Sequence, residues 1–157
     1  MERIIRNGEA IELEPDHPDY PADTGSEARK AEKTAAVNAE RDRRIRTPFS
    51  FAGYQFDYDD ASQKRITGAA ALAGFALTLG GKLPGDLLWH GKDEPFVWIS
   101  ADNDLVEMDA PMTFAFGQAA AAWESEHIFA ARALKDEIDA ADEGDLDEID
   151  ITSGWPG

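Results

Sequence analysis

Three histidines, a surplus of carboxylates and one basic run are the groups in this 157-residue sequence that could do chemistry. His17 stands in a polar, proline-rich segment, His90 sits between Trp89 and Gly91, and His127 lies near Glu124 and Glu126. General acid–base catalysis needs such a group beside a reacting atom, and a metal needs several ligands brought together. His90 has no second His or Cys nearby, and no nucleophile or metal partner can be named for His127. A solvated His17, no metal at His90 and a hydrogen-bonded structural His127 are therefore expected. Asp102, Asn103 and Asp104 could hold calcium, but the glycine and glutamate of an EF-hand loop are missing and Asx-type turn chemistry accounts for them. The sequence carries no glycine-rich phosphate loop, HExxH or GxSxG. Abundant carboxylates in an acidic chain are not a catalytic dyad. The expectation is a non-enzymatic protein with no cofactor and no metal. Its candidate residues are partner-binding ones: Arg41, Arg43 and Arg44 in the basic run, Trp89 in an apolar loop, and Ile151 and Trp155 near the end. Trp89 or Trp155, if exposed, could stack on a sugar, although packing explains both equally well.

Charge narrows the partners. The formal net charge is -17, which opposes non-specific binding to nucleic acid or to an anionic membrane. It is unevenly spread: the net is -5 over residues 1–23, +3 over 24–46, -8 over 47–129 and -7 over 130–157. The natural electrostatic partner of the basic segment is another part of this chain or a neighbouring copy. The absence of cysteine fits a reducing compartment. No apolar run approaches the ~20 residues of a membrane span, and the N-terminus lacks the apolar stretch of a signal peptide.

The elements that must position these residues follow from periodicity and turn signals. Asn7-Gly8 between Ile4, Ile5 and Ile11, Leu13 predicts a hairpin, and residues 15–25 read as an extended linker. Thr24 with Glu27 suggests a capping box opening a helix that runs towards Pro48. That helix has a thin alanine stripe, Ala28, Ala31, Ala35 and Ala39, and i, i+4 pairs Glu40–Arg44 and Asp42–Arg46. It is either a solvated arm or an attachment helix. Phe49, Phe51, Tyr54, Phe56 and Tyr58 alternate with polar residues around Ala52-Gly53, the pattern of a hairpin with one buried aromatic face. A helix capped by Asp60, with Gln63 completing a capping box, follows; Ile66, Ala70, Ala73 and Leu77 mark its core side, and its small residues suit it to cover the rings. Residues 80–95 turn at Gly80-Gly81 and Pro84-Gly85, with Leu87, Leu88 and Trp89 expected to fold back onto the core. Phe96–Ser100 and Leu105–Met108 make a second hairpin. Asp109 and Pro111 then open a long helix whose seam is Phe116, Ala120, Trp123, His127, Ala130, Leu134 and Ile138. The acidic tail is punctuated by Leu146, Ile149, Ile151 and Trp155, so it is expected to pack.

The fold class read from this pattern is α+β, with two hairpins forming one small antiparallel sheet and helices covering one face. The divisions are a hairpin and linker (1–23), an arm helix (24–46), a core (47–141) and a tail (142–157).

Taken in order, RRIRTPFSFAGYQFDYD, SQKRITGAAALA, WISADNDLVEM, ARALKDEIDAA and LDEIDITSGWP resemble a family of phage and prophage proteins of unknown function, often found in tail-fibre polypeptides or beside them. The resemblance covers about residues 40–156; residues 80–95 depart from it as an insertion. It implies a structural role in a phage tail (tip, baseplate or fibre) or in host contact; the appendages read at both ends of the chain add the expectation of attachment to neighbouring tail proteins through residues 1–46 and the tail. It also implies a virion location after assembly in the bacterial host cytoplasm, and a possible homo-oligomer. A tail-fibre assembly chaperone and a carbohydrate-binding receptor module are the alternatives. No nucleic-acid partner and no membrane insertion are expected.

Overall fold

The computed structural model describes residues 2–6, 9–13 and 24–157. Strands β1 (Glu2–Arg6) and β2 (Glu9–Leu13) pair antiparallel with Arg6 opposite Glu9. This is the hairpin anticipated at the N-terminus; its Asn7-Gly8 turn, His17, the linker up to residue 23 and the Thr24 side chain fall outside the described residues. Helix α1 spans Thr24–Ile45. Strands β3 (Phe49–Phe51) and β4 (Tyr54–Phe56) form the aromatic hairpin in the expected register, Phe49 opposite Phe56. Its loop residues Ala52 and Gly53 have φ of 49° and 84°, as the tight two-residue turn that matches strand twist requires. Helix α2 is Asp60–Thr78, strands β5 and β6 are Val97–Ile99 and Leu105–Glu107, and helix α3 is Ala110–Ala140. A 3-10 helix, Glu143–Glu148, leads into the tail.

The class is α+β, but the two central hairpins stay separate two-stranded sheets. They begin to join, where the Ala101 N–H donates to the Gln55 carbonyl at 2.8 Å. They diverge because the start of α2 comes between them: Asp57, Ser62 and Arg65 face Val97–Ser100 across a cleft of about 270 Å³.

The aromatic face is covered differently from the expectation as well. Phe116 of α3 is its centre, with ring centroids 5.5 Å from Phe49, 5.3 Å from Phe51, 4.7 Å from Phe56 and 5.2 Å from Trp98. From α2 the buried cover is Ile66. The small residues of α2 serve another contact, the crossing with α3. A Cβ on Gly117 would lie 2.3 Å from the Ala70 Cβ, and one on Gly74 would meet the Phe114 ring at 3.4 Å. Glycine and alanine at these points let the two helix backbones approach closely.

Helices α2 and α3 are each capped by an aspartate. Asp109 accepts from the Met112 N–H at 2.9 Å, as the sequence suggests. For α2 the cap is Asp59, not Asp60: its carboxylate accepts from the Ser62 N–H at 2.8 Å, which holds its pKa below the usual aspartate range. Asp60 is left to pair with Arg46 at 3.0 Å, and the Gln63 amide donates to the Tyr58 carbonyl instead of closing a capping box. In the insertion, Trp89 folds back as expected. It is buried with Ala73 and Ala110, and its indole N–H donates to the Met108 carbonyl at 3.0 Å.

Candidate interaction site at the arm and the tail

Helix α1 needs a partner for a face that alternates cations with one valine. Arg29, Lys33, Val37 and Arg44 recur at spacings of four, four and seven residues and so share one side of the helix. That side meets α3 and the acidic tail. Val37 is fully buried with Ala131, Leu134 and Ile138 of α3 and with Leu146 and Ile149 of the tail. Around this apolar strip the charges close. Arg29 pairs with Asp147 at 2.7 Å, Lys30 donates to the Asp139 carbonyl at 2.9 Å, Lys33 donates to the Leu146 carbonyl, and Arg44 donates to the Thr152 carbonyl at 3.2 Å. Lys135 of α3 reaches Asn38 at 3.2 Å. The basic segment is therefore met within this chain: by the tail at Arg29, Lys33 and Arg44, by α3 at Lys30, by its own helix at Arg41, Arg43 and Arg44, and by Asp60 at Arg46. A cleft of about 250 Å³ remains between α1 and the tail, lined by Arg29, Glu32, Lys33, Ala36, Leu146 and Asp147.

Within α1, Glu40 organises the last turns. It accepts from Arg43 at 2.8 Å and from Arg44 at 2.6 Å, and these two bonded guanidinium groups hold its carboxyl down at about 2. Arg41 takes Asp42 and Asn38. Arg46, expected to pair with Asp42, reaches only that residue's carbonyl and spends its charge on Asp60.

Trp155 closes the far end. Its indole N–H donates to the Ile151 carbonyl at 2.8 Å, the Arg44 guanidinium lies over the ring at 5.5 Å, and His127 stacks on it at 6.2 Å. His127 is 1% exposed. Its Nδ1 lies 2.8 Å from the Trp123 carbonyl, which can only accept, so that nitrogen carries the proton. The histidine is structural, as the sequence suggests. Thr152 holds the preceding turn by bonding Asp150 through both its hydroxyl and its N–H, which lowers the Asp150 pKa.

The candidate residues thus divide. Arg44, Ile151 and Trp155 meet in one place, and Arg41 and Arg43 lie on the same helix with their charges met by Asp42 and Glu40. Trp89 lies apart in a separate cluster, 5% exposed, with its N–H already bonded; it has no face to offer a sugar. His90 packs edge-on against Trp89 and Phe96, with a buried Nδ1 that has no hydrogen-bond partner among the described residues. Among the described residues no three of His, Asp and Glu gather as a metal site, and no helix is long and apolar enough to cross a membrane.

Two features escaped the pattern reading. The α3 seam passes through Ala131 where Ala130 was expected, returning to the expected positions at Leu134 and Ile138. The alanine stripe of α1 is the outer surface; the docked face is the Arg29–Lys33–Val37 side, signalled only by its spacing and by the charge contrast with the tail.

Fold and site define a small α+β protein in which one long helix carries two clusters, and the segments at either end close on each other. The chain belongs to the family described as Domain of unknown function (DUF4376), whose match covers residues 28–153 and so takes in most of α1, the clusters around Phe116 and Val37, and most of the tail. No curated protein and no solved structure is significantly similar to it.

Proposed function

We propose that this chain is a non-enzymatic structural protein of a phage tail that attaches to neighbouring tail subunits through its arm and tail end. The observation that carries the reading is the orientation of α1. Its cationic side is fixed on α3 and the tail, which turns the small apolar row of Ala28, Ala31, Ala35 and Ala39 outwards, beside the exposed Arg43. A helix held rigid on one side and smooth on the other can pack closely on a partner without reordering itself. The tail assignment rests on the ordered resemblance to phage and prophage proteins across residues 40–156. On this reading the protein is built in the bacterial host cytoplasm and ends in the virion.

The test is mass spectrometry of purified particles from the phage or induced prophage that encodes the chain. The reading expects the chain at a fixed stoichiometry with tail proteins. Its absence from particles, with recovery alongside unassembled fibre in the lysate, would replace the structural role with that of an assembly chaperone.

A further inference from the structure

No charged residue occurs from Ile66 to Gly81 or from Ala110 to Trp123, and these stretches are the parts of α2 and α3 that cross. On the outer side of α2, Leu72, Phe75 and Leu79 fall at i, i+3 and i+7 and are 64%, 62% and 83% exposed. Phe114 of α3, 40% exposed, lies against Gly74 beside them. A monomer rarely leaves such a row of large apolar side chains uncovered.

What covers it is written into the same face. Its C-terminal half is large and apolar, whereas its N-terminal half is Gly68, where a Cβ would meet nothing within 4 Å, preceded by Lys64 and Arg65. Arg29, Arg41, Arg43, Arg44, Arg46 and Arg132 each hold a carboxylate, but Lys64 and Arg65 make no ion pair or hydrogen bond among the described residues; Arg65 borders both this face and the cleft against Val97–Ser100, and the Asp59 carboxylate feels its charge without bonding it. At the other end of α2 the N–H groups of Leu79, Gly80 and Lys82 cap the Phe75 and Ala76 carbonyls, but no basic side chain in the last turn offsets the helix's partial negative charge.

We infer that α2 packs antiparallel against α2 of a second copy about a two-fold axis near Leu72. In that arrangement Leu72 meets its own copy, Phe75 sits over the partner's Gly68, and Leu79 lies along the partner's Arg65 stem. Arg65 and Lys64 then reach the carbonyl end of the partner helix. A two-fold contact needs such a self-complementary patch. In a chain of net charge -17, an uncharged face is also the place where two copies approach without repulsion. The inference stands whether or not the chain is found in a virion.

Sedimentation equilibrium of the full chain tests it, with the wild type expected at twice the chain mass. Gly68→Leu fills the hole on an exposed helical site with open space, so it should leave the circular dichroism and melting of the monomer intact while raising the dimer Kd at least tenfold. Because the chain has no cysteine, Leu72→Cys should form an intermolecular disulfide under mild oxidation, while Ala133→Cys on the exposed side of α3 should not. A wild type that stays at chain mass at every concentration overturns the inference. So does equal crosslinking from both positions, or a monomeric chain that uses this face only for a different protein.

Discussion

The two larger clusters on α3 are held by opposite means. Around Phe116 the contacts are rings on rings, with Phe49, Phe56 and Tyr58 supplied by one short hairpin and its exit. Around Val37 the apolar strip is thin, and its partners come from both ends of the chain, ringed by charges that bridge more than one hundred residues. Dispersion and apolar burial in the first are not screened by salt, whereas the second depends on closing a long loop and on exposed ion pairs. One helix therefore carries a fixed half and a half whose attachment can be tuned.

Substitutions can break that contrast, beginning with the largest effect. Phe116→Ala should cost about 3 to 5 kcal/mol in urea unfolding and weaken the whole molecule, because four rings lose their common neighbour. Leu146→Ala should cost about 2 to 5 kcal/mol, towards the lower end because a short 3-10 helix can relax into the space, and its effect should concentrate on α1 and the tail. Gly117→Ala drives a methyl into Ala70 and should cost about 1 to 3 kcal/mol by calorimetry, loosening the crossing of α2 and α3. Asp147→Asn, at a highly exposed pair with Arg29, should cost at most about 1 kcal/mol, and the difference from wild type should vanish in high salt.

Titration sharpens the same comparison from both ends of the pH scale. Glu40, held down at about 2 by Arg43 and Arg44, contributes stability that is complete above the ordinary glutamate pKa and is lost as pH falls through about 2. Tyr58, buried and donating to Glu124 at 3.0 Å, is pushed up to about 12, first by desolvation. Its contribution is complete below the ordinary tyrosine pKa and is lost as pH rises through about 12. Unfolding midpoints measured across pH should show Glu40→Gln flattening the acid limb and Tyr58→Phe the alkaline one.

Much of this was legible in the residues. The aromatic hairpin, the α3 cap at Asp109 and the packing of the tail follow from local patterns, because period-two aromatics, Asp-x-x spacing and apolar punctuation each have a short-range cause. The divergence of the two hairpins was not, since it depends on where the start of α2 lands between Gln55 and Val97. The roles of the small residues in α2 were hidden for the same reason: Ala70 and Gly74 face α3 while Gly68 faces outward, and composition alone does not say which glycine meets which helix. At the candidate site, the charge contrast pointed to the right partner for the basic segment. The docked face was obscured because alanine reads as apolar, yet Arg29 and Lys33 cover the seam with their aliphatic stems while their charged ends reach the tail.

Hydrogen exchange on Leu146→Asp tests the central claim, that the arm is fixed by the tail independently of the aromatic half. The account predicts that amides of α1 around Val37 lose protection while those of the Phe49–Phe56 hairpin and α2 keep theirs. Unchanged protection in α1, or an equal loss across the whole molecule, would contradict it.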